Sequence, residues 1–192
     1  SILSEPPTPF HSNRRRFFIS SDDMKGIIVQ LKTLCSVFKK EGQVSFQQRV
    51  DFYDTPELRS YLEYHRLKRS RYLIWKSHNG LTDLSALCLE KHLKADKSEY
   101  YTKEIESNNE NLDLDEIDFI TNTLSVQDSF MHSLSVMFER VFLYGTDKNE
   151  LLSIDSNFTF RKGNKTKSFN NLFQLGLSQI EKSQAGPINM LL

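Results

Sequence analysis

The sequence predicts an α+β fold: an antiparallel β-barrel, or a strongly curved sheet, with flanking helices. Three observations carry this expectation. About eight strand-like segments follow one another, several joined by short turns, which is how antiparallel sheets are connected. Helical spacing is confined to the start and the middle of the chain. Several strands carry Arg or Lys among apolar residues, and a closed sheet accommodates this because alternate residues face its lumen.

The elements follow in order. Residues 1–13, SILSEPPTPFHSN, are rich in Pro and Ser and read as a linker or arm, leaving 14–192 as a single domain. RRRFFIS reads as a strand. Ser20 or Ser21 caps a helix whose Met24, Ile27, Ile28, Leu31, Leu34, Cys35 and Phe38 recur at helical spacing up to about Gly42. VSFQQRVDFYD is a strand. Thr55 and Pro56 then open a short helix in PELRSYLEYHRL. RSRYLIWK and LSALCLEKH form a hairpin across SHNGLTD, and SEYYTKEIE is another strand. The acidic stretch NNENLDLDEIDFITNTL becomes helical, and DSFMHSL continues that layer. SVMFERVFLYG, ELLSIDSNFTFRK and GLSQIEK are late strands, the first two joined by a turn at TDKN.

At 192 residues the chain is long enough for one substantial core, and its 14 Phe and 7 Tyr mark a folded protein. Lys plus Arg equals Asp plus Glu at 25 each, which argues against a globally basic binder; no nucleic acid partner is expected. Cys35 and Cys88 lie in apolar surroundings without zinc-site spacing and read as buried, reduced thiols of a cytosolic-type compartment. There is no apolar run of membrane-spanning length, so a membrane is expected to involve only segments outside this chain.

The basic residues within strands are the informative ones. Arg14 and Arg16 share a face of the first strand by period-two alternation, as do Arg69 and Arg71 of RSRYLIWK. Lys91, Lys103 and Arg140 lie in three further strands. A buried cation costs several kcal/mol unless paired or liganded. Cations from separate strands meeting in one cavity would suit a polyanion, since Arg forks match phosphate oxygens and Lys supplies point charge. The competing reading is that they face water or pair as surface bridges. Glu90, Glu104, Glu106, Asp155 and Glu181 offer carboxylates for a divalent metal, but no fixed spacing links them. The basic run RKGNKTK, residues 161–167, could touch phosphate, but most such runs are solvated loops.

These segments resemble the polymerase domain of the vacuolar transporter chaperone family, within the triphosphate tunnel metalloenzymes. RRRFFIS resembles the opening strand of that family, with Arg16 at its lysine position. VDFYDTPELRSYL is the strongest match. RLKRSRYLIWK, LCLEKH, YYTKE, MFERVFLY and LLSIDSNFTF resemble strands that follow it. The resemblance implies a tunnel in which Arg16, Arg69, Arg71, Lys91, Lys103 and Arg140 bind polyphosphate or a nucleoside triphosphate such as ATP, with Mn or Mg on Glu181 and Glu90. Arg14 stands where the family has a glutamate, Leu151 where it has an arginine, and its metal glutamate falls on Gln179 or, two residues on, Glu181. Losing a tunnel cation and a metal carboxylate would impair phosphoryl transfer more than binding. The expected role is therefore an accessory or regulatory subunit among the other subunits of a polyphosphate polymerase complex, cytoplasmic-facing and tethered to a vacuolar or similar membrane by segments outside this chain. The alternatives are an active polyphosphate polymerase or triphosphatase, and a protein-interaction scaffold without ligand.

Overall fold

The structure is a computed structural model and describes residues 14–63, 72–93, 98–106, 109–145 and 150–179. In chain order these form β1 (Arg14–Ser20), α1 (Ser21–Leu34), β2 (Ser36–Val37), β3 (Ser45–Asp54), α2 (Arg59–Leu62), β4 (Tyr72–Asn79), β5 (Leu84–His92), β6 (Ser98–Ile105), α3 (Leu114–Leu124), β7 (Met131–Tyr144), β8 (Glu150–Lys162), β9 (Lys165–Phe169) and β10 (Leu172–Gln179). The strands hydrogen-bond in the order β1-β10-β8-β7-β3-β4-β5-β6, with β2 added to β7 and β9 to β8. The β1–β10, β10–β8, β2–β7, β5–β6 and β8–β9 pairs are all antiparallel. The α+β, antiparallel class expected from the sequence is the class observed.

The described residues fall into two compact units. In the first, drawn from Val50–Ser77 and Ser85–Ser135, Tyr53, Ile74, Leu87 and Leu89 bury against Ile120 and Leu124 of α3. The helix begins at a capping box. The Asp113 carboxylate accepts from the Glu116 N–H at 2.8 Å, and the Glu116 carboxylate accepts from the Asp113 N–H at 3.0 Å. The second unit, drawn from Ser12–Arg49, His78–Leu84 and Val136–Leu192, is centred on Phe46, Phe142 and Leu151.

Four local expectations are corrected. The first helix stops at Leu34 rather than near Gly42. Cys35 turns extended (φ −128°, ψ 154°), and Ser36 and Val37 pair with Tyr144 and Leu143. The helix expected from Pro56 begins at Arg59, because Leu58 takes a left-handed conformation (φ 54°). Its leading N–H groups are met from upstream: Asp54 accepts from Ser60 at 3.1 Å and Tyr61 at 3.2 Å, and Thr55 Oγ1 from Arg59 at 3.0 Å. DSFMHSL does not extend the helical layer. It runs into β7, where Ser133 donates to the Phe52 carbonyl at 3.0 Å and Ser135 to Asp51 at 2.6 Å, binding the segment to β3. The basic run at 161–167 is a β-hairpin rather than a loop, because Gly163 supplies the positive φ (57°) that a two-residue turn requires. The arm at 1–13 and the TDKN turn lie outside the described residues.

Candidate metal centre and the basic residues

Period-two alternation puts Asp51 and Tyr53 on one face of β3, toward the segment that precedes α3 and the start of β7. There Asp51, Glu110 and His132 each present a ligand atom, all within 4.8 Å of one another. Asp51 is 0% exposed. Ser135 Oγ donates to Asp51 Oδ1 at 2.6 Å and lies 2.7 Å from His132 Nε2. His132 Nε2 is 3.7 Å from Asp51 Oδ1, and the Tyr53 ring meets the imidazole edge-on at 5.9 Å.

A second network positions Glu110. Lys76 is wholly buried, and its ammonium donates to the carbonyls of Asn109 (2.9 Å) and Asn111 (3.0 Å) and to the Glu116 carboxylate (3.0 Å to Oε1). Its donors are thereby met, which is what makes a buried lysine tolerable. Because Asn109 and Asn111 flank Glu110, Lys76 clamps the backbone that carries this carboxylate. Tyr53 adds a third hold, its hydroxyl donating to the Glu110 carbonyl at 2.5 Å. Two carboxylates and an imidazole on so braced a frame fit a divalent cation that accepts both oxygen and nitrogen donors.

Nearby, the Tyr72 hydroxyl donates to Asp128 at 3.2 Å. Burial, followed by the Asp128 charge and hydrogen bond, pushes this phenol well above its ordinary value.

The residues singled out from the sequence take different environments. In the first unit, Lys103 on β6 is half-buried with its ammonium 5.9 Å from the centre of the Phe119 ring. Lys91 lies directly opposite Glu99 in the β5–β6 ladder. Both lysines share the strand face of Leu87 and Leu89, the face covered by α3. Glu90, adjacent to Lys91, faces the other way and accepts from the Tyr100 hydroxyl at 3.1 Å, with His92 Nε2 3.0 Å away. In the second unit, Arg140 forms a two-pronged bond with buried Asp155 (2.6 and 3.0 Å) and lies over the Phe138 and Phe142 rings. Arg16 is exposed on β1, opposite Gly176 of β10. Leu151 fills the core beside Phe46 and Phe142. Arg69, Arg71 and Glu181 lie outside the described residues.

Asp51, Glu110, His132 and Lys76 were not singled out by sequence reasoning. Glu110 and His132 are separated from Asp51 by three or more intervening elements, so no fixed spacing ties them together. The available signal was a charge at alternate positions of otherwise apolar strands, Asp51 in VDFYD and Lys76 in YLIWK.

These features define an antiparallel α+β domain carrying a carboxylate–imidazole cluster. Neither protein-family models nor the curated proteins match the chain. Among solved structures, it is similar in fold to a candidate adenylate cyclase from Bacillus halodurans, with a TM-score of 0.58, 12% identity, and coverage of 92% of this chain and 84% of that one. It is likewise similar to a candidate adenylyl cyclase from Hippeastrum described as having a dominant triphosphatase activity, with a TM-score of 0.55, 11% identity, and coverage of 90% and 81%.

Proposed function

We propose that this domain binds a nucleoside triphosphate or polyphosphate together with a divalent cation, Mn or Mg, and acts as an accessory or regulatory subunit of a polyphosphate-making assembly. The observation that carries the reading is the likeness in fold, over nine-tenths of the chain, to a protein described as a triphosphatase. Arg16, Arg69, Arg71, Lys91, Lys103 and Arg140 are the proposed phosphate contacts. Asp51, Glu110 and His132 are proposed to hold the cation, with Glu90 and Glu181 as further carboxylates. A cation held there supplies positive charge against phosphate oxygens. The chain's own residues keep the site in form: Lys76 and Tyr53 hold the Glu110 backbone, and Ser135 orients both Asp51 and His132. Leu151 lies in the core where the resemblance has an arginine, and this favours binding over turnover. Among the described residues no helix is long and apolar enough to cross a membrane, and tethering is proposed to involve other segments.

The test is a melting curve of the intact chain with tripolyphosphate and Mn2+, beside phosphate release from ATP. The expected outcome is a rise in Tm at millimolar ligand, reduced in Lys103→Gln, with no turnover. Absence of any shift overturns the binding reading. The second reading, an active metal-dependent polymerase or triphosphatase, is favoured by the carboxylate–imidazole cluster. ATP turnover that disappears in Asp51→Asn would establish it in place of the accessory role.

A further inference from the structure

The paired part of the β8–β9 hairpin, Phe158–Phe169, carries charge of one sign only. From Ser156 to Ile180 the sequence contains Arg161, Lys162, Lys165 and Lys167 and no Asp or Glu. The register sorts these residues by face. Lys162 lies opposite Lys165, Phe160 opposite Lys167 and Phe158 opposite Phe169, so all six side chains share one face. The other face carries Arg161 opposite Thr166, and Thr159 opposite Ser168, whose hydroxyls meet at 3.1 Å. Lys162, Lys165 and Lys167 are exposed, and among the described residues none of the three has an ion pair.

The aromatic residues decide what kind of anion fits. Phe138 stacks on Phe158 (5.4 Å), Phe158 on Phe160 (6.2 Å), and Phe160 meets Phe169 edge-on (5.6 Å). The Lys167 ammonium then sits 5.0 Å from the centre of the last ring. Most of these rings are occupied with one another, and Phe169, the exposed one among them (37%), carries the Lys167 ammonium, so the face presents mainly ammonium groups rather than open stacking platforms. A single-stranded nucleic acid would need rings free to stack on bases. Lysine, a mobile point charge without a fixed fork, suits a flexible chain of repeating charge.

We propose that this hairpin is a docking arm for a long inorganic polyphosphate chain, separate from the residues proposed to hold a triphosphate. The inference rests on the phosphate-binding reading above but uses different residues, so the two are tested apart. The intact chain and the double variant Lys165→Glu/Lys167→Glu are titrated with long-chain polyphosphate, with tripolyphosphate and with an RNA homopolymer, at low and at high salt. All substitutions are on exposed hairpin positions. The expected result is that wild type binds long-chain polyphosphate with a steep salt dependence, and that the variant loses about tenfold or more at low salt. The tripolyphosphate response stays unchanged, and Lys165→Arg/Lys167→Arg retains binding. Equal long-chain affinity in wild type and the Glu variant overturns the proposal. So does an RNA homopolymer that binds more tightly than polyphosphate at matched phosphate concentration, which would indicate a nucleic-acid surface. Loss of the tripolyphosphate response alone counts against the triphosphate site and leaves the arm standing.

Discussion

Lys76 has the least tolerance for change in the first unit, because its buried ammonium neutralises buried Glu116 and satisfies two carbonyls at once. Lys76→Ala is expected to cost about 3–5 kcal/mol, since it leaves Glu116 buried without its partner. Chemical denaturation of the variant checks this, and Lys76→Ala/Glu116→Ala should recover part of the loss. Tyr72 governs behaviour in alkali. Burial and Asp128 hold its proton in the folded state above the ordinary value of 10.0, whereas the unfolded chain releases it near that value. The stability this provides is complete below the unfolded value and falls away as the pH rises above it. Tyr72→Phe should therefore flatten the decline in Tm between about pH 9 and about pH 11. An unchanged decline would mean that other groups drive the alkaline loss.

At the scale of elements, the α3 start and the β4–β5 connection can be tested separately. Asp113→Ala removes half of the capping box and should cost about 1 kcal/mol, read as a shift in the urea midpoint without a change in slope. A Cβ at Gly80 would lie 2.4 Å from the Gln47 carbonyl oxygen, which itself accepts from the Gly80 N–H at 2.8 Å. Gly80→Ala should cost about 1–3 kcal/mol, because backbone rather than a flexible side chain must move. Most elements were legible in the sequence wherever alternation or helical spacing ran uninterrupted, as in β3, β5, β6 and the body of α1. The failures have local causes. Helical spacing continued on paper past Leu34, but pairing of Ser36 and Val37 with β7 overrode it. Pro56 suggested a helix start that left-handed Leu58 delays. Met131–Leu134 is too short a stretch for alternation to be distinguished from helical spacing, and only bonds from β7 to β3 mark it as strand. The metal cluster was hidden for a related reason: Asp51, Glu110 and His132 become neighbours only through tertiary packing.

For the molecule as a whole, the proposed cation should act as a stabilising ligand, raising Tm by mass action when Mn2+ is added. His132→Ala should remove most of that rise, over and above a fall in the melting temperature measured in chelator from the lost Ser135 and Tyr53 contacts. An identical metal response in wild type and His132→Ala would assign the effect to other groups. Zero formal net charge means that overall repulsion does little to keep copies apart, so protection against self-association falls to local charge. The three lysines on the β8–β9 face have a second consequence here. Among the described residues β9 pairs with β8 alone, and like-charged side chains on such an outer strand discourage a second copy from extending the sheet. A bound polyanion that neutralises them would lift this protection, so aggregation should set in at stoichiometric amounts of long-chain phosphate and reverse when excess chain restores net charge.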